Sequence, residues 1–210
     1  MEDPYPLFLL EVKFMKQTKL DEIRDDLIIL NSQKFNLYSS YGFSILQIKE
    51  LFEYEKFQVM YAIRAKYIVP DMNVAQIREV MRGIYSDHML SMDVKVYANK
   101  KYDHNFMRTV RVLLEWDFDT VMLEKLLSKG DFTNKEFFIF SLMSQLDCQD
   151  IDGNLRFIRK CTDQVLELYD AYRPMFKARK KYTLPQILKC FDHDLYLAKI
   201  EYLASHEGSI

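Results

Sequence analysis

Chain breakers are scarce in this sequence. Five glycines and five prolines are spread through 210 residues, well below ordinary usage of either. A chain so poor in turn residues has little means of making many tight hairpins, and it leaves room for long helices. The apolar residues recur accordingly, at helical rather than alternating spacing. Leu20, Ile23, Leu27 and Leu30 form one stripe, with Thr18 as its N-cap. A long pattern runs from Ile45 to Ile68 and is closed by Pro70, because the residue before proline is pushed out of the helical region. Asn73 and Gln76 form a capping pair for a helix carrying Ile77, Val80, Met81 and Ile84. The alternation in Asp93–Ala98 reads as a short strand or extended loop.

A helix is expected from His104 to Leu127, with a break near Asp117–Asp119 and an end at Gly130. Thr133-Asn-Lys-Glu136 is a full capping box, with Phe132 and Phe137 placed for a hydrophobic staple. After a polar loop at 147–154, Leu155–Tyr172 reads as one amphipathic helix. Thr183 and Gln186 open a last helix that runs to about Ala204, with Pro185 tolerated in its first turn. The expectation is an all-α domain of seven or eight helices with at most one short β-hairpin. Residues 1–44 are expected to form an N-terminal helical extension, 45–204 the main domain, and 205–210 a disordered tail.

Composition excludes several classes. Hydrophobic residues make up 49% and charged residues 29%, which is globular rather than disordered. Lys+Arg 29 against Asp+Glu 31 gives a net charge of −2. That balance does not favour specific DNA binding or an anionic membrane surface. The first residues carry acids and no small-residue cleavage site, so no signal peptide is expected. No run of 18 apolar residues is present, so no transmembrane helix is expected either. The cysteines, Cys148, Cys161 and Cys190, are odd in number and form no CxxC. They read as reduced thiols of an intracellular protein.

Chemical motifs are few. His88, His104 and the pair His193-Asp194 resemble fragments of a metal phosphohydrolase pattern, but the later Asp it needs is missing. Cys148–Gly153 has the turn of a calcium loop, yet Cys148 and Arg159 stand where hard oxygen ligands belong. Neither a catalytic set nor a cofactor motif is present, and no enzyme activity is expected. The basic run Arg173, Lys177, Arg179, Lys180 and Lys181 is a solvated connection, or else a nuclear import signal or anionic contact. Met60, Met81, Met89, Met92 and Met107 either fill the core or line a plastic apolar cavity for a lipid-like ligand.

The segment Glu55–Asn73, EKFQVMYAIRAKYIVPDMN, resembles the third helix and following loop of nuclear receptor ligand-binding domains. Ala65-Lys66 and Pro70 match that signature, and Met72 stands for its usual aromatic residue. Arg64 replaces the usual Trp, and the expected Asp-Gln pair is missing. Ile77–Met92, Asp93–Ala98, Asp131–Asp147, Leu155–Arg173 and Lys180–Ile200 follow in the order of the later elements. The match spans about Leu46 to Tyr202 and is most similar to the divergent nematode branch.

The resemblance implies a three-layer helical sandwich. It implies a ligand pocket lined by Phe57, Met60, Tyr61, His88, Met89, Met92 and Met107, with Tyr61 and His88 at its polar end. Lys66 would cap the C-terminal end of a bound peptide helix, and Ile187, Leu188, Leu195 and Ala198 would form a dimer face. The eight zinc-binding cysteines of the family's DNA-binding domain are absent, and Leu203–Ile210 lacks the activation-helix pattern. The implied role is regulation of transcription through a coregulator or dimer partner, in the nucleus or cytoplasm, with a lipid-like ligand as a further possibility. The other reading is an unrelated all-α adaptor whose aromatic residues form a partner groove.

Overall fold

Capping pairs and two left-handed turns divide the chain into its helices. A computed structural model describes residues 5–178 and 181–206. Among them are ten α-helices, one 3-10 helix and no strand. The described chain forms two compact units, residues 1–84 and 85–210.

The first unit contains α1 (Tyr5–Ser40), α2 (Ile45–Phe52), α3 (Lys56–Arg64) and α4 (Val74–Ile84). Thr18 lies inside α1 rather than at its start. The break comes at Asn31, whose backbone is extended (φ −164°, ψ 90°). The Asn31 Oδ1 accepts the amide of Lys34 at 2.8 Å and restarts the helix. This turns the stripe away from its expected line: Leu27 is buried, whereas Leu30 is 72% exposed. Gly42 ends α1 at φ +88°, a conformation that favours glycine. Ser44 and Gln47 then form a capping box at the start of α2. The buried Gln47 side chain also donates to the carbonyls of Pro70 and Met72, at 2.8 and 2.5 Å. That bond fastens α2 to the loop preceding α4.

The expected Ile45–Ile68 helix is two helices, because the turn at Glu53–Glu55 interrupts it. Lys66 closes α3 in the left-handed region (φ +58°). The Tyr67 amide donates to the Ala62 carbonyl and the Lys66 amide to that of Ile63, a Schellman closure without glycine. Asn73 and Gln76 cap each other's amides at 2.8 and 2.9 Å, as their spacing predicts.

The second unit holds the 3-10 helix Ser91–Val96, α5 (His104–Glu115), α6 (Thr120–Leu127), α7 (Asn134–Leu146), α8 (Ile151–Lys160), α9 (Thr162–Lys177) and α10 (Leu184–His206). The Asp93–Val96 stretch is therefore neither strand nor extended loop. A three-residue repeat puts Val94 and Tyr97 on one buried side. The break at Asp117 is as expected: the residue sits at φ +60° and closes α5 as Lys66 closes α3. The Thr133 box forms completely, and Phe132 packs against Phe137 at 5.8 Å between ring centroids. Cys161 splits the expected Leu155–Tyr172 helix into α8 and α9. These splits raise the helix count above the expected seven or eight.

Ser205 and His206, expected in the tail, belong to α10. Residues 207–210 lie outside the described residues, as do Arg179 and Lys180 of the basic run. No described helix is long and apolar enough to cross a membrane.

A polar cluster joins α2 to α4 within the first unit. Arg78 donates to both oxygens of Glu50, at 2.9 and 2.5 Å, and the Tyr54 hydroxyl donates to Glu50 at 3.2 Å. The bond from Arg78 holds the Glu50 carboxyl below its usual range. Burial, then the Glu50 charge, pushes the Tyr54 hydroxyl up to about 12. Its value in the unfolded chain is about 10. Tyr54 therefore contributes stability that is whole below pH about 10 and is lost as pH rises toward 12. Urea unfolding of wild type should show this alkaline loss, and the Tyr54→Phe variant should show less of it. Equal losses in the two proteins would contradict the assignment.

Candidate functional site: an acidic groove in the second unit

An open groove of about 540 Å³ lies in the second unit. Asp87, His88, Met89 and Leu90 come from the segment before the 3-10 helix. Asp93 comes from that helix, Leu114 from α5, Asp117, Phe118 and Asp119 from the α5–α6 turn, and Thr120 from the start of α6. The groove is there because α5 must end: Asp117 takes the left-handed conformation, and the chain reverses into α6.

Two of its four aspartates have local structural work. Asp93 accepts from the Leu90 amide at 3.1 Å and from the Thr120 hydroxyl at 3.0 Å. Asp119 caps α6 by accepting the Met122 amide at 2.6 Å. Asp87 and Asp117 are exposed. Four carboxylates with no lysine or arginine in the lining give the groove a negative potential, suited to a cationic group. Leu90 at its edge is 65% exposed. Among the described residues, no three His, Cys, Asp or Glu side chains are arranged to hold a metal ion. The histidines His88, His104 and His193 therefore form no described metal centre.

A buried ion pair stiffens the α5 end of this region. Arg111 and Glu115, one turn apart, are 2% and 8% exposed and meet at 2.5 Å. The Ser86 hydroxyl also donates to Glu115, at 3.3 Å. It joins the segment leading into Asp87 to the helix that carries Leu114.

The residues implied as a ligand pocket do not share one environment. Phe57, Met60 and Tyr61 belong to the first unit, and His88, Met89, Met92 and Met107 to the second. Phe57 is 78% exposed at the start of α3, and Met92 is 56% exposed on the outer side of the 3-10 helix. Met107 is fully buried in the packed interior of the second unit. Met60 and Tyr61 are half-buried, and Tyr61 meets Tyr67 edge to face at 5.8 Å. His88 and Met89 line the groove, which is acidic rather than apolar.

The residues implied as a dimer face lie mostly on the inner side of α10. Ile187, Leu195 and Ala198 are buried within their own unit, and Leu188 is half-buried. The buried three help to hold α10 in place. The outer side of the same helix exposes Tyr196, Leu197 and Ile200, at 64%, 48% and 44%. Apolar residues recur at helical spacing on both sides of α10, so spacing alone does not choose the buried one. The groove was missed because its aspartates lie far apart in the chain. Lys66 is exposed at the end of α3. All three cysteines are free thiols; burial raises the pKa of Cys161, while Cys148 and Cys190 are exposed.

No family model, no curated protein and no solved structure matches the chain.

The ion pair yields a quantitative expectation. Glu115→Ala leaves the Arg111 charge buried without its carboxylate and should cost about 3–5 kcal/mol. Replacing both residues, Arg111→Met with Glu115→Leu, should recover most of that loss. Urea denaturation of the three proteins checks this, and equal destabilisation by the single and double changes would contradict it.

Proposed function

We propose that this chain is a helical protein-interaction module whose partner surface is the outer face of α10. The observation that carries this reading is the second apolar face of that helix. Phe191, Leu195 and Ala198 point inward, while Tyr196, Leu197 and Ile200 lie outward over more than one turn. Exposed apolar residues clustered at helical spacing are the anchors that helix-to-helix recognition uses. His193 and Lys189, both exposed, lie on the same outer side and give that face a polar margin. A partner presenting a complementary apolar helix is the chemistry that fits.

Partner capture by proximity labelling in cells tests the reading. Leu197→Asp and Ile200→Asp should each reduce recovery of the captured proteins at least about tenfold, because a charge is placed in an apolar contact. Both variants should keep wild-type circular dichroism, since these side chains are exposed. Unchanged recovery from both would remove α10 as the partner surface.

A finer reading has one observation in its favour. Lys66 is exposed at the C-terminal end of α3, where a receptor-type ligand-binding domain would use a lysine to clamp the end of a bound peptide helix. On that reading the chain would form a three-layer helical sandwich. It would regulate transcription through coregulator or receptor partners, in the nucleus or cytoplasm. A lipid-like ligand belongs to the same reading. Fused to a heterologous DNA-binding module, wild type should change reporter output, and Lys66→Glu should abolish most of that change. Equal output from the two would leave the interaction module without the receptor role.

A further inference from the structure

Lys34 joins α1 to the turn between α2 and α3. It sits in α1 just after the Asn31 break, and the Asn31 side chain holds its amide. Its ammonium donates to the carbonyls of Phe52 and Tyr54, at 3.2 and 2.9 Å. These carbonyls lie at the C-terminal end of α2, where the helix dipole is negative and backbone acceptors lack intrahelical donors. The same ammonium lies 4.8 Å from the Phe52 ring centroid and 5.9 Å from that of Tyr38. A single charge from a different helix thus adds to the C-cap that Glu53 gives α2.

The turn also has bonds of its own, and the Tyr54 hydroxyl ties it to Glu50. The Glu53 amide reaches the Glu50 carbonyl at 3.2 Å, and the Tyr54 amide reaches that of Leu51 at 3.4 Å. Glu55 then caps α3 with no side-chain hydrogen bond. Immediately beyond, α3 presents the exposed Phe57.

We propose that Lys34 is a charge-dependent latch on the α2–α3 turn, and that acylation of its amine by an acyl thioester releases that turn. The reaction needs the neutral amine. Burial lowers the Lys34 pKa, with Glu53 acting weakly in the other direction. The side chain remains half-exposed and open to a small reagent. The amine nitrogen attacks the thioester carbonyl carbon, the carbon–sulfur bond breaks, the thiolate leaves and the amine proton passes to solvent. The resulting amide keeps one N–H where two carbonyls each need a donor. It also carries no charge to place over the two rings or against the helix end. The latch is independent of the α10 surface, and its failure would leave that reading untouched.

The test treats the folded full-length chain with S-acetyl-N-acetylcysteamine, maps the modified lysines by mass spectrometry and follows amide hydrogen exchange. Lys49 and Lys56, both exposed, are the reference sites. Amides of α7 are the internal standard. Acetylation of Lys34 should speed exchange at Glu53 and Tyr54 at least about tenfold, with α7 unchanged, as loss of charge-assisted bonds implies. Acetylated Lys34 with unchanged exchange at the turn would overturn the latch. So would a Lys34 still unmodified when Lys49 and Lys56 have reacted completely. Lys34→Met should reproduce the faster exchange and Lys34→Arg should not, because arginine keeps a charged donor. An arginine variant as fast as the methionine variant would also overturn it. Should Lys34→Met fail to fold, acetylation of the wild-type chain decides alone.

Discussion

The second unit depends on burying one helix from every side. Eight successive residues of α7, Phe137 to Ser144, are fully buried. A helix that is apolar around its whole circumference cannot lie on a surface, so other elements must cover each of its faces. Here α5, α6, α8, α9 and α10 all pack against it. The two serines in the run fit because they are small, and Ser141 returns its hydroxyl to the Phe137 carbonyl at 2.8 Å. Rings from the surrounding helices complete the packing: Trp116, Tyr169 and Phe176 cluster around Phe138, and Phe106 leans on Phe137. The long α10 covers α7 with one apolar face, and its other apolar face remains outward.

Charge organises the first unit in a comparable way. Apart from α1 its helices are short, and cross-helix hydrogen bonds tie them together. Gln47 ties α2 to the loop before α4, Arg78 ties α4 to Glu50, and Lys34 ties α1 to the end of α2. The Arg78 bond ends on a carboxylate, the Lys34 bond on a helix end and the Gln47 bond on loop carbonyls, groups that would be costly to leave uncompensated. Arg82 and the buried Glu79 pair within α4 at 2.7 Å for the same reason. Both units bury apolar cores, and the first adds these polar ties between its helices.

Helix ends, more than helix interiors, position the surfaces of interest. Lys66 and Asp117 both close helices in the left-handed region without glycine, at a steric cost of about 1–2 kcal/mol each. At Lys66 that closure leaves an exposed cation at the end of α3. At Asp117 it turns the chain into α6 and forms one wall of the acidic groove.

What the sequence determined by itself was local. Scarce glycine and proline and a helical apolar period specified an all-α chain, since those features act through neighbours within a turn or two. The capping pairs Asn73–Gln76, Thr133–Glu136 and Thr183–Gln186 form as their spacing predicts, because both members lie on the same first turn. Tertiary structure decided what spacing alone leaves open. It broke the chain at Asn31, Glu53–Glu55 and Cys161, where contacts with other helices outweigh a continuous pattern. It also chose which apolar face of α10 is buried, since both faces satisfy the same period and the match to α7 and α9 selects one. It brought four aspartates from positions 87 to 119 to one groove and gave Lys34 a helix end to cap. Such meetings depend on the path of the folded backbone, and no local pattern of residues encodes them.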